Sequence, residues 1–171
     1  MILETERTDL RKLTSADWRE LSDILQDEET MTAYAHAFSN EEVSDWLERQ
    51  LERYARDGFG LWAVERKADG AFLGQAGLTW QDWNGRRVPE IGDLFKRVHW
   101  HQGYAAEAAA GCKKYAFETL GFERVYSIIR DTNLPSRRVA LRNGMRKVGS
   151  LTKRYYGMDM PHDVYCVQRE N

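Results

Sequence analysis

Apolar residues recur every three or four positions along one stretch of the chain, and this spacing predicts an amphipathic helix. The stretch lies between Ser39 and Gly58. Ser39 and Glu42 have the spacing of a capping box, in which the two side chains satisfy free N–H groups at a helix start. Gly58 suits the helix end. The apolar positions in between are Val43, Trp46, Leu47, Leu51, Tyr54 and Ala55.

A second helical pattern covers residues 103–120 and ends at Gly121. Its apolar face consists of Tyr104, Ala105, Ala108, Cys112, Tyr115 and Ala116. A shorter helix is predicted over residues 135–143, where Gly144 follows, and another begins near Ser15. The residues before that one, 3–12, read as a first strand.

Period-two and continuous apolar runs predict the remaining strands. Residues 60–66, 71–80 and 86–95 form an antiparallel meander, with Asn84-Gly85 as a hairpin turn. The buried run 125–129 follows the helix 103–120, so a parallel crossover is expected there. Two strands, 146–152 and 163–169, close the chain. The fold class is α/β, a mixed and mostly antiparallel sheet with one parallel β-α-β crossover and flanking helices.

Composition limits the classes of function. The chain has 171 residues, 30% of them charged, with a net charge of −2. It has no linker-like stretch, so residues 1–171 read as one domain. The charge argues against a nucleic-acid or membrane-surface partner. No signal peptide or membrane span is seen, and Cys112 and Cys166 form no paired motif, so a cytoplasmic protein with reduced thiols is expected.

The entrance to the second helix is unusual. Residues 100–110 read W-H-Q-G-Y-A-A-E-A-A-A, with Gly103 beside small side chains. The first turn of a helix has free N–H groups and partial positive charge, and a phosphate satisfies both. An alanine-rich helix packed tightly on a sheet needs no ligand and explains the same residues. The glycine patterns of dinucleotide and P-loop sites are absent.

Two segments resemble the GNAT acetyltransferases. Residues 90–110, E-I-G-D-L-F-K-R-V-H-W-H-Q-G-Y-A-A-E-A-A-A, resemble their acetyl-CoA-binding segment, and the Rim-like branch most of all. Residues 133–139, N-L-P-S-R-R-V, with N-G-M at 143–145, resemble a second element of that branch. The opening L-E-T-E-R-T-D-L-R-K-L and the closing H-D-V-Y are also similar. Ala106 stands where the family has a threonine or serine, and Asp93 where an aromatic residue is common.

The resemblance implies a GNAT-like domain that uses acetyl-CoA to acetylate a primary amine by direct transfer. The acceptor is a protein N-terminus or a small amine, and the protein is a monomer or a homodimer. The backbone around Phe95 would polarise the acetyl carbonyl, and Asn133 would bind the pantetheine arm. The residues expected to bind the cofactor are Phe95, Arg97, His101, Gln102, Gly103, Tyr104, Ala105, Ala106, Asn133, Arg138 and Arg142.

Glu90 is the candidate base, since its apolar neighbours indicate partial burial and a raised pKa. An exposed strand carboxylate is the alternative. Asp93 follows three residues later, on the opposite strand face, so we expect the two acids not to share a pocket. By resemblance Ser136 protonates the leaving thiolate, although Ser136 or Asn133 could instead cap a helix. Tyr155 and Tyr156 offer alternative hydroxyls.

The sequence alone leaves other interpretations of the function and of several residues open. The same fold could serve as a catalytically inactive sensor that binds acyl-CoA. His99 and His101 lack a third ligand, so no metal site is expected. Five aromatic residues belong to an acceptor groove or to the core: Tyr34, Phe38, Trp62, Trp80 and Trp83.

Overall fold

A computed structural model describes residues 1–171. The strands are β1 (Leu3–Glu4), β2 (Thr8–Arg11), β3 (Leu61–Arg66), β4 (Phe72–Trp83), β5 (Arg86–Phe95), β6 (Arg124–Arg130), β7 (Arg146–Tyr155) and β8 (Met158–Gln168). They form one eight-stranded sheet in the order β1-β2-β3-β4-β5-β6-β8-β7. Only β5 and β6 are parallel. The predicted α/β architecture with one parallel crossover is therefore confirmed.

The helices are α1 (Trp18–Leu25), α2 (Asn40–Asp57), α3 (Tyr104–Glu118) and α4 (Leu134–Arg142). Short 3₁₀ turns cover Ser15–Asp17, Thr30–Tyr34 and Arg97–His99. The predicted capping box at the start of α2 is present, and Gly58 ends that helix in the left-handed conformation. None of the helices is long and apolar enough to cross a membrane.

The prediction of a single strand over residues 3–12 is wrong. The chain turns between β1 and β2, where the Thr5 N–H donates to the Thr8 carbonyl at 2.8 Å. The two hydroxyls of these threonines also hydrogen-bond, at 2.6 Å. The turn has no glycine, proline or asparagine, so the usual sequence signals were missing. It leaves Arg7 at the tip of a hairpin.

The sheet separates two helical layers. On one face, the Trp62 ring of β3 meets Tyr115 of α3 edge-on, with ring centroids 5.4 Å apart. On the other face, Trp46 of α2 donates from its indole nitrogen to the buried Gln75 side chain of β4 at 3.0 Å. Side chains of paired strand residues point to the same face. The register of the sheet therefore assigns every strand side chain to one layer or the other.

The three tryptophans that were candidates for an acceptor groove pack against the sheet. Trp62 is fully buried in the core. Trp80 packs between Phe59 and Phe122. Trp83 lies against Tyr126, with centroids 6.0 Å apart. The core interpretation therefore holds for Trp62 and Trp80, and none of the three tryptophans reaches the cavity described next.

Candidate functional site

A cavity of about 140 Å³ lies where β5 and β6 part. The two strands pair only at Glu90 and Tyr126, and beyond this pair they diverge. Ser127 bridges the start of the gap, since its hydroxyl donates to the Ile91 carbonyl at 3.0 Å. We call this space the central cavity. Its polar and ionisable lining residues include Thr30, Tyr34, Glu90, Asp93, Ser127, Arg130, Asn133, Ser136, Asn143, Lys153, Tyr155 and His162.

Glu90, the candidate base, lines the central cavity. One of its oxygens, Oε2, accepts a hydrogen bond from the Ile128 N–H at 2.5 Å. Burial raises the pKa of Glu90, and the charge of Lys153 offsets part of that rise. The carboxylate is thus held in place by the backbone of β6 and has a raised proton affinity. Both properties suit a general base.

Asp93 also lines the central cavity. Burial, together with the charge of Glu90, raises the pKa of Asp93 to about 7. The prediction that the two acids would not share a pocket is therefore wrong. They do lie on opposite faces of β5, but the cavity passes through the gap in the sheet. Strand alternation predicts the face of a residue, whereas the gap depends on how neighbouring strands diverge.

The start of α4 brings Asn133 and Ser136 to the same cavity. The Asn133 side-chain oxygen accepts from the Ser136 N–H at 3.2 Å, so Asn133 caps α4. The Ser136 side chain is partly buried and its hydroxyl has no hydrogen-bond partner within the chain. Of the two predicted residues, one has a structural role and the other presents a free hydroxyl.

The backbone of β5 points donors into the gap. The Lys96 N–H donates to Leu73 across β4. N–H groups alternate between the two edges of a strand, so those of Asp93 and Phe95 point toward β6. The Phe95 ring is buried, and its carbonyl accepts from the indole nitrogen of Trp100 at 2.9 Å. Trp100 thereby anchors the loop that leads to α3.

The first turn of α3 presents free donors. Gly103 adopts a φ of +83°, a left-handed conformation that favours glycine, and no side chain caps this helix. The backbone N–H groups of Tyr104, Ala105 and Ala106 donate no hydrogen bond within the chain. In contrast, Ser39 caps α2. Small or absent side chains at 103, 105 and 106 leave these donors accessible to an anion.

Arg7 reaches this helix start from the β1–β2 turn. Its guanidinium donates to the Gln102 carbonyl at 3.0 Å and lies 4.3 Å from the centre of the Tyr104 ring. It also forms an ion pair with Glu107 at 2.8 Å. Sequence reasoning missed Arg7, because nothing local indicates a contact with residues so distant along the chain.

The remaining predicted residues lie outside the central cavity. The guanidinium of Arg97 pairs with Asp27 at 3.0 Å and with Glu29 at 2.7 Å. Arg138 and Arg142 are exposed on α4 and form no ion pair. His101 and Gln102 are exposed in the loop before α3, where His101 has a φ of +63°.

Sequence reasoning also missed the three basic residues of the cavity lining. Arg130, Lys153 and His162 all belong to its wall. The Tyr34 ring stands beside Tyr155 there, with centroids 6.3 Å apart. One signal was available for the lysine. Alternate residues of β7 are less exposed, and Lys153 occupies such an inward position.

Comparison with known proteins places this geometry in a family. Residues 7–146 match the family model described as "Acetyltransferase (GNAT) domain". The chain belongs to the GNAT acetyltransferase family. The protein YkkB of Bacillus subtilis is 34% identical over 88% of each chain. The N-acetyltransferase YoaA of the same organism is 28% identical, and the alignment covers 97% of this chain and 96% of YoaA.

Solved structures of GNAT proteins share the whole fold. An acetyltransferase from Agrobacterium tumefaciens superposes with a TM-score of 0.81, with 28% identity and coverage of 98% of this chain and 94% of that one. A spermidine N-acetyltransferase from Vibrio cholerae, solved with CoA and spermine, gives 0.74 with 16% identity over 95% of each chain. RimL, a ribosomal-protein acetyltransferase solved with coenzyme A, gives 0.76 with 14% identity over 96% of this chain and 95% of its own. These two likenesses concern the fold.

Proposed function

We propose that this GNAT protein is an acetyl-CoA-dependent N-acetyltransferase that transfers the acetyl group directly to a primary amine. One observation carries the proposal. A carboxylate with a raised pKa, Glu90, lies in the same cavity as the free hydroxyl of Ser136, at the gap between β5 and β6. Direct transfer needs a base for the amine and an acid for the leaving thiolate, and both are present.

The cofactor fits the start of α3 and the adjoining start of α4. The free N–H groups of residues 104–106 and the partial charge of the helix suit a pyrophosphate. Exposed Arg138 and Arg142 would meet further phosphate oxygens, and Asn133 the pantetheine arm. Arg97 would have to exchange its carboxylate partners to contribute. Bound acetyl-CoA supplies an activated acetyl thioester.

Three residues at the gap between β5 and β6 then have defined tasks. Glu90 accepts the proton that the acceptor amine loses as its nitrogen forms the new bond to the acetyl carbon. The N–H of Phe95 donates to the carbonyl oxygen as negative charge develops there. Ser136 donates its proton to the departing sulfur. The chain itself forms no covalent intermediate.

The finer assignment is to the Rim-like branch. It is supported by W-H-Q-G-Y-A-A-E-A at 100–108 and N-L-P-S-R-R-V at 133–139. The shared fold with RimL, a ribosomal-protein acetyltransferase, is compatible with it. All eight strands, from Leu3 in β1 to Gln168 in β8, belong to one continuous sheet. On this ground we treat residues 1–171 as one domain.

The proposal is tested by acceptor-dependent release of free CoA, measured with a panel of amines at saturating acetyl-CoA. We expect Glu90→Gln to lower kcat/KM about 10²–10⁴-fold, the usual contribution of a general base. Acetyl-CoA affinity should remain within about twofold, since Glu90 contacts the acceptor side. The matched control is Glu118→Gln, which changes an exposed carboxylate at the end of α3 and should leave kcat/KM unchanged.

Two results would contradict the proposal. Full activity of Glu90→Gln would remove Glu90 from the chemistry. Tight binding of acetyl-CoA without turnover of any amine would instead identify an acyl-CoA sensor on the same fold.

A further inference from the structure

Two basic side chains of the central cavity have no acidic partner. No carboxylate oxygen lies within 4.0 Å of the Lys153 ammonium, which also makes no hydrogen bond. Arg130 donates from Nη1 to the Thr32 carbonyl at 3.1 Å, and its Nε is buried without a partner. Lys147, on the same strand as Lys153, pairs with Asp163 at 3.0 Å. The cavity thus contains two cations that form no ion pair, although the charge of Lys153 acts on Glu90 over a longer distance.

The register of the sheet defines the face on which these cations lie. Glu90 pairs with Tyr126, so it shares a face with Ile128 and Arg130, at alternate positions of β6. Arg130 pairs with His162, and His162 pairs with Leu151 of β7. Two residues after Leu151 comes Lys153, and then Tyr155. Glu90, Arg130 and Lys153 therefore lie on one face.

That face is the one covered by α2 and the turn Thr30–Tyr34. The Tyr34 ring stands beside Tyr155, and Tyr156 donates from its hydroxyl to Glu42 of α2 at 2.9 Å. The residues proposed to bind the cofactor instead come from α3 and α4, on the opposite face. The two cations are thus on the side of the sheet from which an acceptor, and not the cofactor, would approach Glu90.

We propose that Lys153 and Arg130 bind a carboxylate of the acceptor, which makes the acceptor a small amine with a nearby carboxylate, such as an amino acid. This inference rests on the proposed function and specifies its substrate class. The amine would lie at Glu90 while the carboxylate lies between the two cations. Both side chains are half-buried, and the Arg130 Nε is fully buried without a partner. Such an unpaired donor is costly, and a carboxylate that accepts charge-assisted hydrogen bonds from both side chains removes that cost.

The same arrangement disfavours polycationic acceptors. A second ammonium group on the substrate would meet two like charges in a partly buried site, where charges are weakly screened.

The first experiment compares matched acceptors. Kinetics of CoA release are measured with a panel of amino acids, the carboxamide of each, its decarboxylated amine, and spermidine. We expect the amino acid to exceed its carboxamide and its amine in kcat/KM by about tenfold or more, the value of a hydrogen bond to a charged group. The difference should lie mainly in KM, because the carboxylate is bound and does not react.

Variants of Lys153 assign the effect to this site. Lys153→Met should lower the ratio of kcat/KM for the preferred amino acid to kcat/KM for its carboxamide about tenfold or more. The ratio is the readout because loss of Lys153 also raises the pKa of Glu90, which affects both acceptors alike. Lys153→Arg should restore the preference, which loss of a merely structural lysine would not predict. The control is Lys147→Met on the same strand, outside the cavity, which should keep the preference for the carboxylate.

A binding measurement keeps the test independent of turnover. Calorimetric titration of the same amino acids and carboxamides into the CoA-bound protein reports affinity directly. If no amine is acetylated but binding still requires the carboxylate and Lys153, the proposed function fails and the subsite stands. Equal affinity for amino acid and carboxamide, an unchanged preference in Lys153→Met, or spermidine as the best acceptor would each overturn the subsite.

Discussion

Burial of the Asp93 carboxyl group makes the stability of the folded protein depend on pH. The pKa of Asp93 is raised from 3.8 to about 7 by burial and by the neighbouring Glu90. The unfolded chain releases this proton at a lower pH than the folded protein does. The folded state therefore loses stability relative to the unfolded state as the pH rises from about 4 to about 7, and the loss is complete above that range.

We expect Asp93→Asn to raise the free energy of unfolding at pH 8, because the amide has no charge to bury. The pKa difference of about three units corresponds to an upper value of about 4 kcal/mol. At pH 3, which is below the pKa of Asp93 in both the folded and the unfolded state, the side chain is largely neutral in both proteins, and the difference should be close to zero. Urea unfolding at the two pH values measures it.

The control for this prediction is Asp45→Asn, which changes an exposed carboxylate of α2. Its effect should stay within about 0.5 kcal/mol at both pH values. A destabilised Asp93→Asn variant at pH 8 would show that the carboxylate makes a favourable interaction that outweighs its burial.

Individual residues were predicted from the sequence with mixed success. Glu90 was found because its apolar neighbours indicated burial. The inward position of Lys153 was present in the alternation of β7 but was not recognised, since a lysine on a strand is usually exposed. Arg130 gave no signal, because its isolation depends on which groups surround it in the fold.

Local signals account for most of the helices and strands. The Asn84-Gly85 turn has φ values of 55° and 76°, the left-handed pair that these residues favour. The turn fixes where β5 begins. The strand covers residues 86–95, as its apolar pattern predicted. The hairpin of β1 and β2 was not predicted, because its turn depends on Thr5 and Thr8 and on contacts with α3.

At the start of α3, a local feature of the sequence, Gly103, bears directly on the proposed binding of acetyl-CoA. We expect Gly103→Ala to weaken acetyl-CoA binding about tenfold or more, since a methyl group with positive φ costs about 1–2 kcal/mol and alters the loop that presents the free N–H groups. Gly121→Ala is the matched control, with a similar φ of +74° and open space around it at the other end of α3.

The two variants are compared by their melting temperatures and by titration with acetyl-CoA. Both should lose a similar amount of stability, and only Gly103→Ala should lose affinity. Equal affinity in the two variants would show that the cofactor does not depend on the conformation of this helix start.

At the scale of the whole molecule, cofactor binding should be visible as stabilisation. A ligand at about 100 times its Kd adds about 2.7 kcal/mol to the free energy of unfolding. For a chain of 171 residues this corresponds to a rise of about 5–10 °C in melting temperature. Thermal unfolding with acetyl-CoA measures it, with ATP, NAD and S-adenosylmethionine as controls at equal concentration.

A rise for acetyl-CoA alone is the expected result, because the proposed site joins the phosphate-binding helix start to the cavity between β5 and β6. An equal rise with ATP would mean that the protein recognises only phosphates. The absence of any shift at millimolar acetyl-CoA would contradict the cofactor assignment.

The sequence by itself determined the order of the helices and of the strands after β2, the parallel crossover, the free helix start at Gly103 and the choice of Glu90 as the candidate base. Each of these follows from interactions between residues close in the chain, such as caps, turns and periodic apolar faces. The tertiary structure decided which groups share the central cavity. Its walls come from segments between Thr30 and His162, and they meet only because β5 and β6 diverge after one pair. That divergence joins both sheet faces and brings Asp93, Arg130 and Lys153 into one site.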